Sequence, residues 1–121
     1  MAKHVMTVDD SKTMRDMITF TLRGAGFQVS EAEDGQKALQ MLRSTKVDLV
    51  ITDLNMPKLD GVGLIKSLRA DPTYRSVPIL MLTTESDPAK KAEGRGAGAT
   101  GWLVKPFNPD KLVELVHRVC G

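Results

Sequence analysis

Five short apolar runs alternate with five helical patterns, and this alternation constrains the fold more than any other feature of the sequence. The runs are His4–Val8, Phe27–Ala32, Asp48–Thr52, Val77–Thr83 and Thr100–Val104. The third and fourth contain unbroken apolar stretches, which are typical of strands buried on both faces. A strand–helix unit repeated five times with right-handed crossovers predicts a parallel sheet between two helical layers, an α/β three-layer sandwich.

The helical patterns have apolar stripes and start signals. The stripes are Met14, Met17, Ile18 and Leu22 in the first helix, and Leu112, Leu115, Val116 and Val119 in the fifth. Both have the spacing of a helix face turned toward a core. Asp34, Asp60, Asp87 and Asn108 each precede a helical pattern, so we expect them to be N-caps.

The fourth helix, expected between Ser86 and Gly98, differs from the others. It lacks large apolar residues and contains Gly94 and Gly96, each of which costs a helix about 1 kcal/mol relative to alanine. We therefore expect it to be the least rigid helix.

The segment 96–101 matches G-x-G-x-x-G, but it ends a helix instead of opening one, so we assign it to a turn and not to dinucleotide binding.

Length and composition limit the function classes. The 121 residues predict a single domain over 1–121 with no output domain. A net charge of +2, from 17 basic and 15 acidic residues, does not favour a nucleic-acid partner. Cys120 is the only cysteine, and no apolar run has the length of a membrane span. We expect a cytoplasmic monomer without membrane insertion.

Chemically active side chains end four of the predicted strands. Asp9 and Asp10 follow the first, Asp53 the third, Thr83 ends the fourth and Lys105 follows the fifth. The carboxyl ends of parallel strands share one edge, where ligands bind in open α/β sheets. Three converging carboxylates favour a hard divalent cation with oxygen ligands, and Mg²⁺ fits best.

Asp53 has two roles open to it on this reasoning. It could be a metal ligand only, or it could also be a nucleophile that forms an acyl phosphate. In the second case Lys105 would contribute a positive charge, and the hydroxyl of Thr83 could bind a phosphoryl oxygen.

The motifs themselves resemble a known family. Val5–Ser11, Asp53–Gly61, Leu82–Thr84 and Val104–Phe107 are similar to the motifs of two-component response regulator receiver domains, and of these most to chemotaxis regulators of the CheY type. The resemblance extends from about Lys3 to Val119. It implies a flavodoxin-like fold with strand order 2-1-3-4-5 and activation by phosphorylation of Asp53 by a sensor histidine kinase.

The resemblance also implies roles within the site. Asp10, Asp53 and the backbone carbonyl of Asn55 would bind Mg²⁺ directly, and Asp9 through water. Thr83 and Lys105 would bind the phosphoryl group, Asn55 and Glu85 would tune dephosphorylation, and the Lys105–Pro106 peptide would be cis. The protein would catalyse only its own phosphorylation and dephosphorylation, and would not otherwise be an enzyme.

A switch and a set of partners follow from the same resemblance. Thr83 would move toward the phosphoryl group, and Trp102, at the position of the switch aromatic, would turn inward. The face made by the fourth helix, fifth strand and fifth helix would then bind the flagellar motor switch protein or another acidic peptide, and a phosphatase is a further candidate partner. Four basic residues could make that face basic, or could equally form an ordinary solvated surface: Lys90, Lys91, Arg95 and Lys111.

Three alternatives stay open at this point. A receiver without a motor target would act as a phosphate sink or phosphorelay component. A phosphatase with an aspartyl nucleophile usually has D-x-D after its first strand, whereas this loop reads Asp9-Asp10-Ser11. A flavin-binding module of the same fold would have a Ser/Thr/Gly-rich first loop, which this chain lacks.

Overall fold

The chain forms the predicted alternation of strands and helices. The computed structural model describes residues 3–54, 56, 58–84, 88–105 and 107–120, and of Thr84 the backbone alone. In chain order the elements are β1 (His4–Val8), α1 (Lys12–Gly24), β2 (Gln28–Ala32), α2 (Gly35–Leu42), β3 (Leu49–Asp53), α3 (Gly61–Ala70), β4 (Ile79–Thr84), α4 (Pro88–Ala97), β5 (Gly101–Lys105) and α5 (Pro109–Cys120).

The five strands form one parallel sheet in the order β2-β1-β3-β4-β5, which confirms the predicted topology. β1 has the expected bounds, and the bounds of the other four strands differ from the expected ones by one or two residues. Three of these shifts concern the site. Asp53 and Lys105 are the last residues of β3 and β5 and not the residues that follow them, and Thr83 is the penultimate residue of β4 and not the last one.

A separate apolar cluster covers each face of the sheet. On one face, residues of α2 and α3 pack on Met6, Val50 and Met81. On the other, Ile18 and Leu22 of α1 and Leu112 and Val116 of α5 pack on the opposite sides of the same strands. The alternation of strand side chains between the two clusters makes the central strands apolar throughout.

The predicted N-caps form where the structure describes them. The carboxylate of Asp34 accepts from the Lys37 N–H at 2.8 Å, and that of Asp60 from the Gly63 N–H at 2.8 Å. Asn108 Oδ1 accepts from the Asp110 N–H at 2.7 Å. These bonds satisfy donors that the first helical turn leaves free. Asp87 lies outside the described residues.

The two glycines of α4 have different environments. Gly94 is buried, and a Cβ at this position would overlap the Sδ of Met81, whereas a Cβ at Gly96 would meet nothing within 4 Å. Gly94 therefore allows α4 to pack closely on β4, a reason for this glycine that helix propensity does not include.

Within the described residues, no helix combines the length and apolar character that crossing a bilayer requires.

Candidate functional site

The site lies at the carboxyl edge of β1, β3, β4 and β5, which are consecutive neighbours in the sheet. Asp9 and Asp10 occupy the loop between β1 and α1, and Asp53 ends β3. Thr83 is the penultimate residue of β4, and Lys105 ends β5. Parallel pairing brings these strand ends to one edge, so the sheet places all five residues on the same side of the molecule.

Three carboxylates converge at this edge. One oxygen from each of Asp9, Asp10 and Asp53 lies within 4.8 Å of the others. Asp9 is buried, Asp10 is exposed and Asp53 is intermediate. Like charges this close repel unless a cation shares them.

Asp9 is the most deeply buried of the three. Its Oδ1 accepts from the Ser11 N–H at 2.9 Å, while its buried Oδ2 has no hydrogen-bond donor among the described residues. Burial raises the pKa of Asp9 above its ordinary value, and the charge of Asp53 adds to the increase. The Ser11 N–H and Lys105 act in the opposite direction. A buried carboxylate oxygen without a hydrogen bond is suited to bind a cation.

Lys105 bridges two of the carboxylates. Its Nζ lies 3.3 Å from Asp53 Oδ1 and 3.5 Å from Asp9 Oδ2. Asp53 Oδ1 also accepts from the Leu54 N–H at 2.9 Å. One ammonium group beside three carboxylates leaves the site with excess negative charge. The side-chain atoms that could bind a metal are all carboxylate oxygens. The arrangement therefore fits a hard divalent cation.

Thr83 adds a buried hydroxyl beside the acidic cluster. The residue is 3% exposed, and its Oγ1 has no hydrogen-bond partner among the described residues. Its neighbour Leu82 pairs with Asp53 in the sheet, and Thr83 itself pairs with Val104. A hydroxyl buried without a partner at a site edge is available to bind a ligand oxygen.

Trp102 of β5 lies on the same face of the sheet as Met81, farther than Thr83 from the carboxyl edge. It pairs with Met81 and packs, half-buried, against the cluster that contains Met81. The guanidinium carbon of Arg95 lies 4.5 Å from the ring centroid and the Nζ of Lys91 lies 5.9 Å from it. Two cations of α4 therefore hold the indole by cation–π contacts.

Three predicted site positions lie outside the described residues. They are Asn55, with its backbone carbonyl, Glu85, and Pro106 with the peptide bond that precedes it. Their predicted roles stay predictions.

Arg15 of α1 also reaches the site, although it was not among the predicted site residues. Its Nη1 donates to the backbone carbonyl of Asp9 at 2.6 Å. The signal was present, because Arg15 precedes the buried residues Ile18, Thr19 and Leu22 by three, four and seven positions. A charged residue on a buried helix stripe has to have a polar partner.

Known proteins resemble this chain in both sequence and fold. The family profile described as response regulator receiver domain matches residues 5–117. Chemotaxis protein CheY-3 of Vibrio cholerae is 40% identical over 116 residues, which are 95% of this chain and 89% of that protein.

Solved structures agree with the sequence comparison. The chemotaxis response regulator CheY4 of Vibrio cholerae superposes with a TM-score of 0.93 at 46% identity, over 98% of this chain and 99% of that chain. The receiver domain of the sensor histidine kinase PA1611 from Pseudomonas aeruginosa, with a magnesium ion coordinated in its active-site cleft, gives a TM-score of 0.92. It is 27% identical over 100% of this chain and 99% of that chain. The chain belongs to the response regulator receiver domain family, and it is similar throughout to its chemotaxis members of the CheY type.

Proposed function

We propose that the protein is a signalling switch that accepts a phosphoryl group on Asp53 from a sensor histidine kinase in a Mg²⁺-dependent reaction. The observation that carries the proposal is the convergence of three carboxylates, one lysine and one buried, unpartnered hydroxyl at a single sheet edge. A capping or purely structural role for the acidic residues does not explain why the lysine and the hydroxyl meet them there.

In the proposed reaction, a carboxylate oxygen of Asp53 attacks phosphorus in line with the leaving imidazole. The new P–O bond forms as the P–N bond breaks, and the electron pair returns to the ring nitrogen. Asp10, Asp53 and the Asn55 carbonyl would hold Mg²⁺ directly and Asp9 would hold it through water, and the ion would neutralise charge on the phosphoryl oxygens. The magnesium coordinated in the related PA1611 receiver supports this choice of metal.

Lys105 and Thr83 complete the proposed phosphoryl site. The ammonium group of Lys105, already 3.3 Å from Asp53, would pair with a phosphoryl oxygen once the Asp53 carboxylate is converted to the acyl phosphate and the negative charge lies on the phosphoryl group. The hydroxyl of Thr83 would donate to another oxygen and so gain a partner that it lacks among the described residues. Apart from its own phosphorylation and dephosphorylation, we propose no catalytic activity, so the chain should not turn over small phosphate esters.

The output would be read on the face formed by α4, β5 and α5. Movement of Thr83 would open space on the side of the sheet where Trp102 packs, and the indole could then leave Arg95 and Lys91. Chemotaxis relatives and the basic residues of α4 favour an acidic peptide of the flagellar motor switch as the partner. A phosphate sink or relay component is the second candidate within the same family.

Acetyl phosphate with Mg²⁺, followed by intact-mass measurement, tests the acceptor. We expect one added phosphoryl group on the wild-type protein and none on Asp53→Asn. Asp48→Asn is the matched control, because Asp48 precedes the opposite end of β3 and accepts from the His4 N–H. An unmodified wild-type protein, or equal modification of Asp53→Asn, would contradict the proposal.

Binding measurements separate the motor regulator from the sink. We expect a synthetic acidic peptide from a flagellar switch protein to bind the phosphorylated form more tightly than the unphosphorylated form. Equal and negligible binding by both forms, with phosphorylation intact, would favour the sink.

A further inference from the structure

Arg15 places a charged group where the fold would otherwise place an apolar one. The side chain is only 15% exposed, and it lies on the buried stripe of α1. Its Nε is 3.3 Å from Glu31 Oε1 on β2, and its Nη1 donates to the carbonyl oxygen of Asp9 at 2.6 Å. The guanidinium therefore connects α1, β2 and the loop that carries Asp9 and Asp10.

The hydrogen bond from Arg15 restrains the backbone carbonyl of Asp9, whereas the sheet restrains only the N–H of this residue. The Asp9 N–H donates to the Ala32 carbonyl at 3.1 Å, which extends the pairing of β1 with β2 by one residue. The Asp9 carbonyl is taken by Arg15, so both polar groups of this residue's backbone are bonded. A charge-assisted bond of this length is among the stronger hydrogen bonds in proteins.

Repulsion within the acidic cluster explains why a restraint on the Asp9 backbone would matter. Asp9 Oδ2 is buried without a hydrogen bond to any described residue, and oxygens of Asp10 and Asp53 lie within 4.8 Å of an Asp9 carboxylate oxygen. Without a restraint, the loop after β1 could relieve the repulsion by turning the aspartates away from Asp53. Residues behind a metal-binding group commonly prevent such movement.

We propose that Arg15 is a positioning residue: by holding the Asp9 carbonyl from behind, and being oriented itself by Glu31, it keeps the Asp9 and Asp10 carboxylates directed at the cation position beside Asp53. The inference rests on the proposed function for the identity of the cation, but the restraint on Asp9 is a property of the metal-free chain. Arg15 itself touches none of the reacting atoms.

The competing explanation is that Arg15 acts only through its charge. Arg15→Lys separates the two, because lysine keeps the positive charge but lacks the planar fork that reaches the Asp9 carbonyl and Glu31 together. Arg15→Gln removes both the charge and the fork. Lys12→Gln is the matched control, since it removes one cation from the same helix at a side chain that is 77% exposed and pairs with Asp16.

Two measurements on the intact chain test the proposal. Amide hydrogen exchange of the Asp9 and Ser11 N–H groups, followed by NMR in the presence of a chelator, reports the restraint without metal. Calorimetric titration with MgCl₂ reports cation binding. We expect about fivefold faster exchange at both amides and about tenfold weaker Mg²⁺ binding in Arg15→Gln and Arg15→Lys, with Lys12→Gln close to wild type.

The outcomes separate this inference from the proposed function. If exchange at both amides is unchanged in Arg15→Gln, the positioning role of Arg15 is wrong, whatever the Mg²⁺ affinity. If Arg15→Lys behaves like the wild type, Arg15 acts through its charge alone and the positioning role is again wrong. Faster exchange in a protein whose wild type binds no Mg²⁺ upholds the restraint and contradicts the metal proposal. If Arg15→Gln does not fold, Glu31→Gln replaces it, with the same amides expected to exchange faster by a smaller factor.

Discussion

At the scale of single residues, Asp9 is where folding and the proposed function oppose each other. In the described residues it is the one carboxylate that is fully buried and has an oxygen without a hydrogen-bond donor. Burial raises the pKa of Asp9 in the metal-free fold. The native state then holds this proton more tightly than the unfolded chain does, so stability falls as the pH rises from the ordinary aspartate pKa through the raised one.

Asp9→Asn should therefore stabilise the metal-free protein. The amide oxygen can still accept from the Ser11 N–H, while the buried charge is removed. With a chelator at neutral pH we expect the free energy of unfolding in urea to rise by about 1 kcal/mol, and the gain to vanish at about pH 4 and below. A variant that is less stable than wild type at neutral pH, or a gain independent of pH, would contradict the cost assigned to this charge.

At the scale of elements, α4 joins the proposed site to the surface that a partner would bind. Its glycines were expected to weaken the helix, yet Gly94 is the contact through which α4 approaches Met81 of β4. Helix propensity and packing thus act in opposite directions at this position, whereas at Gly96 only propensity acts.

Two substitutions separate these effects. Gly94→Ala should lower the free energy of unfolding by about 1–2 kcal/mol, because the new methyl group forces the buried Met81 side chain to move. Gly96→Ala should raise it, by up to about 1 kcal/mol, because space around that position is open. Urea unfolding measures both, and a stabilised Gly94→Ala would show that Met81 yields without cost.

At the scale of the whole molecule, the parts that repeat along the chain were the parts that the sequence could predict. The alternation of strand and helix patterns predicted the three-layer architecture, the apolar stripes identified the helix faces, and the polar residues at strand ends identified one edge. The strand order came from family resemblance, since local patterns contain no information on which strands pair.

The remaining features depend on contacts between different elements of the fold. Gly94 is explained only by Met81, and Arg15 only by the Asp9 carbonyl and Glu31. The one-residue shifts that place Asp53 and Lys105 inside their strands are of the same kind, because pairing with a neighbouring strand decides where a strand ends.

The central claim is that Asp53, among the three clustered carboxylates, is the one that carries the phosphoryl group. Borohydride reduces an acyl phosphate to the alcohol with release of phosphate, so treatment of the acetyl-phosphate-modified protein followed by peptide mass mapping identifies the residue. We expect homoserine at position 53 and unmodified aspartate at positions 9 and 10, with no conversion when Mg²⁺ is chelated. Conversion at Asp9 or Asp10 instead, or the same conversion without Mg²⁺, would contradict it.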